Sequence, residues 1–134
     1  MQDNGNWSGP AYTWKRGGIR TLYWQYLVGG DGFYIAPDKE DDRFGYGTSQ
    51  NGDLYRYDKL TGYYQSIAPQ FSPTKAPLRF NWNAGFAKDP ADEKTAYYGS
   101  QFVHKTEDKG ATWRVISPDL STDNSKHQKD DYGG

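Results

Sequence analysis

Short runs rich in aromatic and other apolar residues, mixed with polar ones, recur along this chain, each with Gly, Pro, Asn or Asp within a few residues of its ends. Runs of this length and composition between turn residues predict β-strands. The clearest pair comprises residues 102–105 (Phe-Val-His-Lys) and 112–116 (Thr-Trp-Arg-Val-Ile), which flank the polar tip Thr106-Glu107-Asp108-Lys109-Gly110-Ala111. That spacing predicts a β-hairpin. Gly110 takes a positive φ without steric cost, Asp108 accepts hydrogen bonds from the turn's own N–H groups, and Trp113 anchors the returning strand in a core.

From residue 1 to residue 20 the chain is rich in Gly, Asn and Trp, with turn signals at Asn4-Gly5, Ser8-Gly9-Pro10 and Gly17-Gly18. The next unit, 21–69, contains Tyr26-Leu27-Val28, the tetrad Gly29-Gly30-Asp31-Gly32, and strand-like runs at 33–36, 43–50, 54–58 and 63–67. Asn51-Gly52, between the second and third runs, is among the strongest short hairpin signals. After a linker at 70–77, a second unit at 78–120 can be laid over the first. Asp38, Tyr46, Ser49 and Gln50 match Asp89, Tyr97, Ser100 and Gln101 at a spacing of 51. After a two-residue deletion at Asn51-Gly52, Arg56, Ile67 and Pro69 match Lys105, Ile116 and Pro118 at 49. Residues 121–134 are polar and charged without periodicity, and are expected to be mobile unless something binds them.

The stretch Thr106-x-Asp108-x-Gly110-x-Thr112-Trp113 resembles the Asp-box, also called the bacterial neuraminidase repeat, Ser/Thr-x-Asp-x-Gly-x-Thr-Trp. Gln2-Asp3-Asn4-Gly5, Val28-Gly29-Gly30-Asp31-Gly32-Phe33, Ser49-Gln50-Asn51-Gly52 and Leu78-Arg79-Phe80-Asn81-Trp82-Asn83 look like segments of sortilin-like bacterial propellers labelled as glycosyl hydrolases. The resemblance covers roughly residues 2–120. It implies an all-β fold of β-propeller blades, each a four-stranded antiparallel sheet. It also implies that Thr106, Asp108, Gly110, Thr112 and Trp113 have a structural role at a blade's hairpin. On this reading residues 1–20 are the tail of a preceding blade, 21–69 form blade one, 78–120 form blade two, and Met1 lies inside a propeller. Blade one has Tyr57, Lys59, Thr61 and Tyr64 at the Asp-box positions, so its hairpin must be held another way, with Asp58 and Gly62 at hand. Propeller rings typically need about four to eight blades. The chain is therefore expected to be a fragment of a longer protein, or one of several copies or partners that complete a partial ring. A stand-alone sandwich of two sheets is the alternative. A secreted, periplasmic or cell-surface location is likewise what the resemblance implies.

Val, Ile, Leu and Phe together account for only 19 of the 134 residues, a share associated with disorder, but the net charge is −1 and 17% of residues are aromatic. Tyr and Trp bury large surfaces and favour strands, so the chain reads as a folded, aromatic-rich β protein. Lys and Arg number 16 against 17 Asp and Glu, with no basic block, and leave no electrostatic footprint for nucleic acid or an anionic membrane. No stretch approaches the ~18 apolar residues of a membrane span. Without cysteine there is neither a disulfide framework nor a thiolate metal site.

Asp31 is the leading candidate for ligand contact, because the glycines around it let backbone approach a ligand and its carboxylate would face a central channel. Tyr34, Arg79, Trp82 and Asn83 would join it as a platform for a sugar, with turn formation and core packing as the structural alternatives. Glycoside hydrolysis needs two carboxyl groups held roughly 5 to 9.5 Å apart, one with a raised pKa, and no such pair is apparent. His104 and His127 lack metal-ligand spacing, and there is neither a phosphate-binding glycine loop nor a nucleophile elbow, so no catalytic residue, metal site or cofactor is assigned. Asn6-Trp7-Ser8 matches the glycosylation triplet. The expected function is a non-catalytic propeller-type scaffold or protein-interaction module, completed by other protein chains or by self-association. The alternative is a fragment of a glycan-binding or glycoside-hydrolase-like propeller, with a glycan as partner.

Overall fold

A computed structural model describes residues 1–124 of the chain. The fold is all-β. Its strands are β1 (Asn6–Ser8), β2 (Gln25–Val28), β3 (Ile35–Pro37), β4 (Phe44–Thr48), β5 (Leu54–Asp58), β6 (Tyr63–Ser66), β7 (Phe86–Lys88), β8 (Ala96–Gly99), β9 (Val103–Thr106) and β10 (Arg114–Val115). β1 and β2 pair with each other in a two-stranded sheet, with Trp7 opposite Tyr26. β3 to β6 form one four-stranded antiparallel meander, and β7 to β10 form another. Short connections produce this order, since strands joined by tight turns can only run antiparallel. Tyr26-Leu27-Val28 thus pairs back onto residues 6–8 and stands apart from the four strands that follow it.

The turn between β4 and β5 carries Asn51 at φ 60° and Gly52 at φ 84°, the left-handed conformations that Asn and Gly tolerate best. Gly52 has a second role. A Cβ there would lie 2.2 Å from Cγ of Phe80, so the missing side chain lets the second unit approach the first. The β5–β6 turn is closed by Asp58, whose Oδ1 accepts the Leu60 N–H at 2.9 Å and whose carbonyl accepts the Gly62 N–H at 2.9 Å. Arg43 grips both carboxylate oxygens of Asp58 at 2.7 Å.

Strand alternation gives the first meander two apolar faces, and both are covered. Ala36, Tyr46 and Leu54 pack against Ala84, Ala96 and Tyr98, with Ile67, Phe80, Phe86 and Trp113 around them. Ile35, Tyr55 and Tyr57, on the opposite face, pack against Leu27 and Val28 of β2. Tyr46, Phe86, Tyr98 and Trp113 form a continuous series of rings, with centroids 5.0, 6.2 and 6.4 Å apart in that order. Rings that each bury about 150–250 Å² explain how so few aliphatic residues sustain a core. The second meander is different. Its Phe86–Tyr98–His104 face is covered by the first, whereas the face carrying Ala87, Tyr97 and Lys105 has no described sheet against it.

Candidate functional site

Between the two meanders lies a cluster of charges centred on Asp38, just past the end of β3. Its side chain is 3% exposed. Arg56 of β5 donates to both carboxylate oxygens at 2.9 Å, and Lys109, on the turn between β9 and β10, donates to Oδ2 at 2.8 Å. Lys88 of β7 stands 3.6 Å from Oδ1, donates to the Pro37 carbonyl at 3.0 Å, and pairs with Glu93 at 2.8 Å. The Arg56 guanidinium also sits 4.5 Å above the Tyr46 ring. Burial by itself would raise the Asp38 pKa, but the hydrogen bonds and charges of Arg56 and Lys109 outweigh it and hold the carboxyl at about 2. Burial pushes the Tyr46 hydroxyl up to about 12. Asp38 is therefore a fixed anion that joins one sheet to the next, with no proton to donate near neutrality.

The turn between β9 and β10 is built from its own side chains. Thr106 Oγ1 donates to Asp108 Oδ1 at 2.7 Å and accepts the Gly110 N–H at 2.8 Å. Asp108 accepts the Thr112 hydroxyl at 2.5 Å and the Thr112 N–H at 2.8 Å. Those donors, led by the Thr112 hydroxyl, hold the Asp108 carboxyl below its ordinary range. Gly110 has φ 91°, and a Cβ on it would come 2.4 Å from Cδ1 of Ile67. Trp113 then donates from its indole nitrogen to the Ile67 carbonyl at 2.7 Å. All five residues Thr106, Asp108, Gly110, Thr112 and Trp113 act on turn geometry or on the contact between sheets.

Of the five residues read from sequence as a ligand face, Asp31, Tyr34, Arg79 and Trp82 each have their own partners. Asp31 is 5% exposed, and its Oδ1 accepts the Asp3 N–H at 2.6 Å, so the carboxylate fastens the N-terminal segment. Tyr34 is 51% exposed and lies 5.9 Å from the Phe86 ring. Arg79 bonds Asp119 at 3.1 Å and Ser121 at 2.8 Å, while the Trp82 carbonyl accepts the Asn51 N–H at 3.1 Å. Asn83 is exposed. No hydrogen bond or ring contact joins any two of the five directly.

Two glutamines that the repeat aligns have the same task. Gln50 Oε1 accepts the Asp31 N–H at 2.6 Å, and Gln101 Oε1 accepts the Arg79 N–H at 2.8 Å. Each pins the segment leading into its meander. His104 is 1% exposed, bonds Ser100 Oγ through Nε2 at 2.8 Å, and has its pKa lowered by burial. His127 and most of the stretch expected to be mobile lie outside the described residues, although Ser121 within it is tied to Arg79.

Sequence reasoning missed the Asp38 cluster, although the recurrence of Asp38 as Asp89 and of Arg56 as Lys105 was its trace. It also missed a cleft of about 340 Å³ beside the second hairpin, lined by Gln65, Ile67, Gln70, Phe71, Thr112 and Trp113. No described group of three or more His, Asp or Glu side chains is placed to hold a metal ion, and no described helix is long and apolar enough to cross a membrane. No family model, curated protein or solved structure matches the chain.

Proposed function

We propose that the chain is a non-catalytic, propeller-type scaffold or protein-interaction module that works within a larger assembly. The observation that carries this reading is the repeated four-stranded meander, two copies of which stack through an apolar core and the Asp38 charge cluster. The bonds among Thr106, Asp108 and Thr112 support reading that turn as an Asp-box.

Light scattering across a concentration series tests the proposal. A closed multiple, such as a dimer or trimer, is the expected result, and a folded monomer at every concentration overturns it. A second reading, glycan binding, is favoured by the cleft in which Phe71 and Trp113 stand beside Gln65 and Gln70. Glycan-array binding that is lost in Phe71→Ala supports it, because Phe71 is 70% exposed and its truncation leaves the cores intact.

A further inference from the structure

The face of the second meander that carries Ala87, Tyr97, Val103, Lys105 and Ile116 repeats, position for position, a face that is already covered. In the first meander the same positions hold Ala36, Tyr46, Leu54, Arg56 and Ile67. Ala36, Tyr46, Leu54 and Ile67 pack in the core shared with the second meander, the first three of them buried, and Arg56 joins it through Asp38. The register agrees in both sheets. Ala36 is opposite Tyr46 and Tyr46 opposite Arg56, just as Ala87 is opposite Tyr97 and Tyr97 opposite Lys105. Ile116, in contrast, is 43% exposed.

The charged residues recur as well, although Lys105, the counterpart of Arg56, pairs with Glu107 at 2.6 Å. Asp38 receives Lys88 and Lys109 from the covering sheet in addition to Arg56 from its own. Asp89, its counterpart, takes part in no ion pair among the described residues. Its Oδ1 accepts the Ala91 N–H at 2.8 Å, and its Oδ2 has only the Tyr97 hydroxyl at 3.3 Å. The Ile67 carbonyl receives the Trp113 indole, and Ile116 is the residue matching Ile67.

We propose that this face is a docking surface for a further four-stranded sheet of the same repeat. That partner carries lysines where this chain has Lys88 and Lys109, to seat on Asp89, and a tryptophan where it has Trp113, to donate to the Ile116 carbonyl. The proposal rests on reading the chain as an interaction scaffold and names the chemistry of its partner. Charge complementarity sets the register, because an unpaired Asp89 covered by an apolar sheet alone would be left without its hydration. The apolar residues Ala87, Tyr97 and Val103 supply the area.

The full chain with a duplicate of residues 70–118 inserted after Pro118 tests this directly. The duplicate supplies a sheet with both lysines and the tryptophan, joined as the second meander is joined to the first. The expected result is one cooperative unfolding transition with a midpoint above that of the unmodified chain. Asp89→Asn, which keeps the Oδ1 bond to Ala91 and removes the charge, is expected to abolish most of that gain while leaving the unmodified chain's midpoint nearly unchanged. Trp→Phe at the duplicate's position equivalent to 113 is expected to reduce the gain independently. A duplicate that unfolds separately, or a gain insensitive to both substitutions, overturns the proposal. Either outcome leaves the scaffold reading in place, because that reading is tested by the mass of the unmodified chain in solution.

Discussion

The indole nitrogen of Trp113 donates a 2.7 Å hydrogen bond to the backbone carbonyl of Ile67, which lies 46 residues earlier and in the other meander's unit. The same ring packs at 6.4 Å from Tyr98 in the core between the sheets. Trp113→Ala should therefore cost roughly 3–5 kcal/mol, the usual range for emptying a large aromatic site. Trp113→Phe keeps a ring but leaves the Ile67 carbonyl without its donor, and should cost about 1–3 kcal/mol. Urea denaturation of the three chains ranks them. Equal midpoints for wild type and Trp113→Ala would remove Trp113 from the contact between the sheets.

Asp38 makes stability depend on acid. Its pKa falls from 3.8 to about 2 on folding, so the folded state favours the ionised form. The contribution, about 2 kcal/mol by linkage, is fully present above pH 3.8 and is lost as pH falls towards 2. Asp38→Asn should be clearly less stable than wild type at pH 6, and the gap should close as pH drops from about 4 to about 2. A gap that stays constant across that window would show that the Asp38 charge contributes nothing.

His104 acts in a higher window, and burial is the cause. Its buried ring is harder to protonate in the folded state than in the unfolded chain, where the value is near 6.5. The unfolded state then binds more protons, and stability falls as pH drops below 6.5. In His104→Gln this component should vanish, so the stability difference from wild type should shift between pH 7.5 and 5.5. Thermal melts at several pH values would reveal it, and parallel curves would refute it.

Gly110 is required twice over. Its φ of 91° disfavours any L side chain, and its Cβ position is 2.4 Å from Ile67 Cδ1. Gly110→Ala should cost about 1–3 kcal/mol. Repeating it in an Ile67→Val background relieves the steric part, because the terminal methyl carbon is absent, and leaves the backbone part. An equal penalty in both backgrounds would assign the whole effect to φ.

Much of the local structure was legible because it depends on neighbours in sequence. The Asn51-Gly52 turn, the Asp108 and Gly110 turn and the runs that became β3 to β6 are each specified within a few residues by side-chain size, positive φ and hydrogen-bonding reach. The pairing of β2 with β1 was harder to read, since the pattern of Tyr26-Leu27-Val28 marks a strand but carries no mark of its partner. The partners of the residues read as a ligand face were hidden for the same reason. Asp31 sits among glycines that suggest an open loop, yet the Asp3 amide, 28 residues away, takes its carboxylate inward.

By itself the sequence determined the strand class, the turns and the repeat of about 50 residues, because strand-forming runs and glycine or asparagine at positive φ are rules about adjacent backbone. Only the tertiary structure decided which of two equivalent carboxylates became a buried link. Asp38 and Asp89 hold the same place in their repeats, but Lys88 and Lys109 reach Asp38 because a second sheet follows the first across its face, and no described sheet follows the second. Burial and charge pairing depend on what is brought near through space, a property of the folded arrangement that neither residue identity nor spacing contains.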